Sequence, residues 1–342
     1  MKNNKAILII LTISIAFFIF PQTMESKTRQ EDIKDLSFKD ITYGKNISID
    51  SVELINATEK LPEHCLVKGK LWPDDAFIIK LPINWNGRLY QTGNGGAAGH
   101  IDEASMVRPL QKGFVTASGS GGHVSAKLTD WSFGYPPDDP LAKIRIEDYF
   151  HGSVHRVNAF ARQLIKAYYG VDPSYAYYDG YSTGGRQGLM EAQRYPEDFD
   201  GILAGAAPFP FSKRAMADTW EATQLLGKGF VPRSKLLLLA EAILEKCDDI
   251  DGVTDGLIED PRQCLFNALT DLPPCPNDSD SPDCFTKAQR QAIYNIYDGV
   301  VRDADGERLF KGASFSTETI MRDGSSGWNM FVPSTPGGSN LL

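Results

Sequence analysis

The residues best suited to chemistry lie at positions 180–184, which read GYSTG. They fit the G-x-S-x-G pattern and lie between a predicted strand, 174–179, and a predicted helix, 186–195. In that setting a sharp turn exposes the serine hydroxyl above the sheet, and the helix N-terminus favours developing negative charge. The pattern predicts Ser182 as a nucleophile for acyl transfer and the Thr183 amide as an oxyanion donor. A chance match among 31 glycines is the alternative.

Glycine-rich loops follow two predicted strands that precede Ser182. Strand 88–92 runs into GNGGAAG at 93–99, and strand 113–118 runs into GSGGH at 119–123. A second oxyanion donor is expected from such a loop, and Gly95 and Gly96 are the candidates. A flexible turn is the other interpretation. Neither loop binds phosphate in the Walker manner, because no Gly-Lys-Ser/Thr follows.

A serine nucleophile needs a base, usually a histidine that a carboxylate orients. In α/β-hydrolases that histidine follows the serine in the chain. The five histidines all precede Ser182: His64, His100, His123, His151 and His155. The last two share a helix face but lack the H-E-x-x-H pattern of a metal pair. A packed or surface role is therefore predicted for each of them.

Repeated aspartates between residues 247 and 258 suggest a cation site. Asp248, Asp251 and Asp255 share this segment with Gly252 and Gly256, which let the chain curl so that backbone carbonyls also point inward. Oxygen ligands of this kind suit Ca²⁺. The segment is not an EF-hand, because Thr254 stands where the sixth-position glycine is needed and no glutamate ends the loop. A solvated acidic turn is the alternative.

The N-terminus and the cysteines indicate an exported protein. Lys2 and Lys5 precede an apolar run, 6–20, which predicts a secretory signal over residues 1–27 or an uncleaved anchor. Export permits disulfides. The cysteines are Cys65, Cys247, Cys264, Cys275 and Cys284. A bridge between Cys247 and Cys264 would staple the aspartate loop, and the last two would close the next loop. A four-cysteine zinc site is disfavoured because no C-x-x-C pair is present.

Composition and element order narrow the class of protein. A net charge of -9 argues against nucleic acid or an anionic membrane as the main partner. Strands at 77–82, 88–92, 113–118, 174–179 and 201–206 alternate with helices at 149–169 and 186–195, which predicts an α/β sheet covered by helices. After the Pro-Phe-Pro segment at 208–210, the alternation of strands and helices gives way to a helix at 234–246 and an aspartate- and cysteine-rich stretch. A domain boundary is therefore predicted near residue 211.

One long segment resembles a known family. Residues 180–202, GYSTGGRQGLMEAQRYPEDFDGI, resemble the tannase and feruloyl esterase family. LPINWNGR at 81–88, AYYG at 167–170 and the aspartate loop agree, so the resemblance spans about residues 65–261. It implies an α/β-hydrolase-type, mostly parallel sheet with flanking helices. The core would occupy 28–210, and an inserted lid would occupy 211–342.

The resemblance also implies an activity and site residues. Ser182 would attack a small aromatic-acid ester and form an acyl-enzyme, with the oxyanion held by the amides of Thr183 and of Gly95 or Gly96. The acyl group could be feruloyl, galloyl or terephthaloyl. Structural Ca²⁺ and two lid disulfides are implied as well. The ion would be held by the carboxylates of Asp248, Asp251 and Asp255 and the carbonyls of Val253 and Leu257, and the bridges would be Cys247–Cys264 and Cys275–Cys284.

Three departures from the family qualify that expectation. Tyr181 stands where the family has a cysteine bridged to one beside the catalytic histidine. Cys65 matches a family cysteine whose partner is not found. Family members are longer, and their catalytic Asp and His follow the part resembled here. We therefore expect a chain truncated within the lid that lacks these two residues. The alternative is a non-catalytic relative that binds phenolic esters or a protein partner.

Overall fold

A seven-stranded sheet organises the part of the chain that the computed structural model describes, residues 47–302 and 304–317. Its strands are β1 (Ile47–Ile55), β2 (His64–Leu71), β3 (Asp75–Pro82), β4 (Arg88–Thr92), β5 (Val115–Gly119), β6 (Tyr175–Tyr181) and β7 (Gly201–Gly205). The helices are α1 (Val107–Gln111), α2 (Pro140–Glu147), α3 (Ser153–Tyr169), α4 (Thr183–Arg194), α5 (Phe211–Gln224), α6 (Ser234–Cys247) and α7 (Lys287–Asp298). Two short strands, β8 (Val300–Val301) and β9 (Arg308–Phe310), pair separately.

The sheet is mixed. Its order is β1-β2-β3-β5-β4-β6-β7. The first three neighbouring pairs are antiparallel, and the other three are parallel. The α/β-hydrolase-type sheet with flanking helices is confirmed, but parallel pairing makes up half of it rather than most. The reason is that β1, β2 and β3 follow one another through short connections, which favour antiparallel pairing.

The chain reverses its direction across the sheet at β4. From β4 it moves to β5 on one side, and through α3 it then crosses to β6 on the other side. Ligands of open α/β sheets bind where the carboxyl ends of strands meet at such a reversal. The glycine loop after β4 and Ser182 after β6 both lie at this edge, because Thr92 pairs with Asp179.

Helix α3 anchors the core against the sheet. The apolar positions that predicted this helix are all buried: Val154, Val157, Phe160, Ala161, Leu164, Ile165 and Tyr168. Gly170 ends it in a left-handed conformation, φ +79°, as predicted for a C-cap. The predicted start at residue 149 falls in a π-helical turn, Asp148–Gly152, directly before α3.

A second buried cluster forms after residue 224. Helices α6 and α7 pack Leu236, Leu239 and Ile293 against Phe285 and the disulfide-bonded Cys247. The two predicted bridges, Cys247–Cys264 and Cys275–Cys284, are present. The division at residue 211 into core and lid stays a prediction.

Strand β7 differs from its predicted environment. Its apolar sequence indicated a buried strand, yet β7 lies at the end of the sheet and Leu203 is 62% exposed. A short apolar run has the same sequence pattern at a sheet edge as in a buried core, so the pattern cannot separate the two.

The predicted signal segment, residues 1–27, lies outside the described residues. In the described ranges, no helix combines the length and the apolar character needed to cross a bilayer.

The positions of the five cysteines predict which thiols an alkylating reagent can label. Cys65 is 1% exposed on β2, and burial raises the pKa of its thiol to about 11. We expect iodoacetamide to label no thiol in the native protein, only Cys65 after denaturation, and all five cysteines after reduction. Mass spectrometry of the alkylated chain measures this. Four free thiols before reduction would contradict the bridges, and rapid native labelling would contradict the burial of Cys65.

Candidate active site

Ser182 occupies the tight turn between β6 and α4. Its backbone has φ 58° and ψ −119°, a conformation that non-glycine residues rarely adopt. Such strain costs about 1–3 kcal/mol, and surrounding structure must hold it in place. The Ser182 amide donates to the Gly205 carbonyl on β7 at 3.0 Å, and its carbonyl accepts from Arg186 in the first turn of α4. The turn is therefore fixed on both sides.

Glycines permit the close backbone approach around this turn. A Cβ atom on Gly180 would lie 2.3 Å from the Gly184 carbonyl oxygen, and one on Gly185 would lie 2.2 Å from the Gly205 carbonyl oxygen. No side chain fits at either position. The glycines of the motif are thus explained by packing between the strand and the helix.

The loop after β4 is bonded directly to the Ser182 turn. Asn94 accepts through its carbonyl from the Gly184 amide at 2.7 Å, and its amide donates to Gln187 Oε1 at 3.1 Å. The Thr183 hydroxyl donates to the Gly96 carbonyl at 2.5 Å. These bonds place the predicted oxyanion loop beside the predicted nucleophile.

The two glycine loops also contact each other. Gly99 donates to the Ser120 carbonyl and accepts from the Ser125 amide, both at 2.7 Å. The Asn94 side-chain amide donates to the Gly119 carbonyl at 2.8 Å. The loop after β5 therefore borders the same edge of the sheet and supports the loop that carries Gly95 and Gly96.

A buried arginine holds α4 against the preceding π-helical turn. Arg186 donates to the carbonyls of Tyr149 at 2.9 Å and Phe150 at 3.0 Å. Its guanidinium also lies 4.4 Å from the Tyr149 ring centre and 5.3 Å from that of Phe211. Sequence reasoning did not single out Arg186, because only the fold brings these aromatic rings around it.

The five histidines have other contacts than Ser182. His64 and His100 bond to nearby carbonyls, and His151 to the Tyr195 hydroxyl. The ring of His123 stacks on Phe133 with centroids 4.1 Å apart. His155 bonds to Asp198 at 2.6 Å. None of these contacts supplies a base to the serine.

The aspartate loop follows α6 and is closed by the Cys247–Cys264 bridge. Asp248 is buried and accepts from the Gly256 amide at 3.0 Å, while Asp251 and Asp255 accept from the amides of Val253 and Leu257. Within the described residues, the three carboxylates do not all lie within 4.8 Å of one another. The donor set is all oxygen, which suits Ca²⁺, but in this arrangement the carboxylates bind the loop's own amides.

Most of the chain matches one known protein family. A family model described as tannase and feruloyl esterase matches residues 60–340. The chain belongs to this family.

Individual relatives agree with this assignment. Feruloyl esterase B of Aspergillus niger is 30% identical over 294 residues, which cover 79% of this chain and 53% of that protein. An uncharacterized esterase of Xanthomonas campestris pv. campestris is 31% identical over 296 residues, covering 83% and 49%. The crystal structure of feruloyl esterase B from Aspergillus oryzae matches with a TM-score of 0.70 at 25% identity, covering 91% of this chain and 63% of that one. The chain spans about half the length of these curated relatives.

Proposed function

We propose that this protein is an exported carboxylic ester hydrolase that cleaves small aromatic-acid esters through a Ser182 acyl-enzyme. The strained turn at Ser182, bonded to a glycine loop at the carboxyl edge of the sheet, carries the proposal. Family membership supports the ester hydrolase class.

The reaction begins with attack of Ser182 Oγ on the ester carbonyl carbon. The C–O bond to the alcohol breaks as the tetrahedral intermediate collapses, and water later releases the acid from the serine. The turn places Ser182 directly after the end of β6, and the backbone hydrogen bonds to Gly205 and Arg186 hold it there. Fixed geometry of this kind lowers the entropic part of the barrier.

The oxyanion would be held by backbone amides. Thr183 is the first residue of α4, so its N–H has no partner within the helix. The second donor would be the amide of Gly95 or Gly96. The hydrogen bond from Thr183 Oγ1 to the Gly96 carbonyl holds this loop against the first residue of α4. The α4 dipole adds favourable potential for the negative charge.

The base that accepts the serine proton is proposed to lie outside these 342 residues, together with its orienting aspartate. Two observations support this proposal: the chain has no histidine after Ser182, and the relatives are about twice as long as the part matched. Export is supported by the apolar N-terminal run and by the two disulfides.

The test is hydrolysis by the native protein from its source. Methyl ferulate and methyl acetate form a matched pair that differs in the acyl group. Faster turnover of methyl ferulate is the expected result. Binding of methyl ferulate without any turnover would instead favour the non-catalytic alternative.

Ca²⁺ is proposed to stabilise the aspartate loop, held by the carboxylates of Asp248, Asp251 and Asp255 and the carbonyls of Val253 and Leu257. Because a ligand at 100 times its Kd adds about 2.7 kcal/mol, excess chelator should lower the Tm by about 5 °C or more. Asp248→Asn should remove the recovery of Tm that added Ca²⁺ gives the stripped protein. Asp172 is an exposed carboxylate paired with Lys166, and Asp172→Asn should keep that recovery. A melting curve that chelator leaves unchanged would contradict Ca²⁺ binding.

A further inference from the structure

Three ionisable side chains converge behind the nucleophile helix. His155 lies on α3, Glu191 lies near the end of α4, and Asp198 lies in the turn that leads to β7. One ligand atom from each lies within 4.8 Å of the other two. His155 Nδ1 is 2.6 Å from Asp198 Oδ2, and the Tyr195 ring stacks on the imidazole at 4.0 Å.

Glu191 is the unusual member of this cluster. It is 1% exposed, and its two carboxyl oxygens are buried inside the protein beside His155 and Asp198. Burial first, and then the Asp198 carboxylate, raise the pKa of Glu191 to about 9. In the described part of the chain, no lysine or arginine forms an ion pair with either carboxylate. The two carboxyl groups therefore lie beside one imidazole, with no lysine or arginine of the described residues paired to them, where a metal cation would fit.

We propose that His155, Glu191 and Asp198 bind one divalent transition-metal ion of the Zn²⁺ type. One imidazole and two carboxylates, with water in the fourth position, match the ligands and the coordination number of zinc. Ca²⁺ is a poor fit, because it takes six to eight oxygen ligands. On binding, the 2.6 Å separation between His155 Nδ1 and Asp198 Oδ2 opens to about 3 Å across a tetrahedral ion.

The ion would hold α4 in place through its C-terminal half. It joins α3 to the C-terminal half of the helix whose first residue follows Ser182, and to the turn before β7. Zn²⁺ should therefore raise the Tm of the folded protein by mass action. This role is structural and does not depend on the identity of the nucleophile or the ester.

The test uses the native protein, stripped with chelator and then saturated with Ca²⁺ so that the aspartate loop is filled. Isothermal titration with ZnCl₂ should show one equivalent bound. Glu191→Gln and Asp198→Asn should each weaken binding at least about tenfold. His151→Ala, which lies one helical turn before His155, should leave binding unchanged.

A second measurement needs no variant and so does not depend on any variant folding. Zn²⁺ should raise the Tm of the unmodified, Ca²⁺-saturated protein, as differential scanning calorimetry measures. No saturable equivalent of Zn²⁺, equal affinity in Glu191→Gln, or an equal Tm with and without Zn²⁺ would overturn the proposal. Each of these results would leave only a hydrogen-bonded contact between His155 and Asp198.

Discussion

Ser182→Ala is expected to lower esterase activity of the native protein by about 10⁴-fold or more. The substitution removes the atom that forms the acyl-enzyme while leaving the oxyanion amides in place. Because alanine also has to adopt φ 58° at this turn, the fold should be retained at similar strain. The decisive measurement is kcat with methyl ferulate, alongside the Tm of the variant.

Ser174→Ala is the matched control for that experiment. Ser174 directly precedes β6, at the opposite end of the strand from Ser182, and it is exposed. Its removal should leave kcat unchanged. A Ser182→Ala protein that keeps more than about a hundredth of the activity would remove Ser182 from the role of nucleophile.

Gly180→Ala is expected to destabilise the protein by about 3 kcal/mol or more and to abolish activity. The new methyl would lie 2.3 Å from the Gly184 carbonyl oxygen and 2.8 Å from the Gly184 Cα. These are backbone atoms, so no rotamer change relieves the contact. The start of α4 would have to move away from β6, and Ser182 would move with it. Urea unfolding measures the loss of free energy.

Gly95→Ala separates this effect from the general cost of replacing glycine. An added Cβ at Gly95 meets no atom within 4 Å, and its φ is not positive. Its free energy of unfolding should stay within about 0.5 kcal/mol of the parent. If both variants are equally stable, the close strand–helix approach at Gly180 does not constrain the fold.

The sequence was most informative where a local pattern has one physical solution. Helix α3 was predicted because its apolar positions recur at 3.6-residue spacing, and every one of them is buried. The turn at Ser182 was predicted because a strand, two glycines and a helix leave little choice of backbone there. The two disulfides close short loops, and the resemblance to a family implied the same pairs.

Long-range juxtapositions could not be predicted from spacing. His155 and Asp198 are 43 residues apart in the sequence, and no local motif predicts that they lie beside Glu191. The rings around Arg186 come from the π-helical turn and from α5, so they too need the fold. Leu203 is exposed because β7 lies at the end of the sheet, and strand order is a property of topology rather than of the strand's own residues.

Covalent labelling tests the central claim, a Ser182 nucleophile, most directly. The native protein would be incubated with a fluorophosphonate, digested, and the modified residue located by mass spectrometry. A single adduct on Ser182, which excess methyl ferulate slows, is the predicted result. Modification at a different residue, or no adduct in a protein that hydrolyses methyl ferulate, would contradict the assignment of the nucleophile.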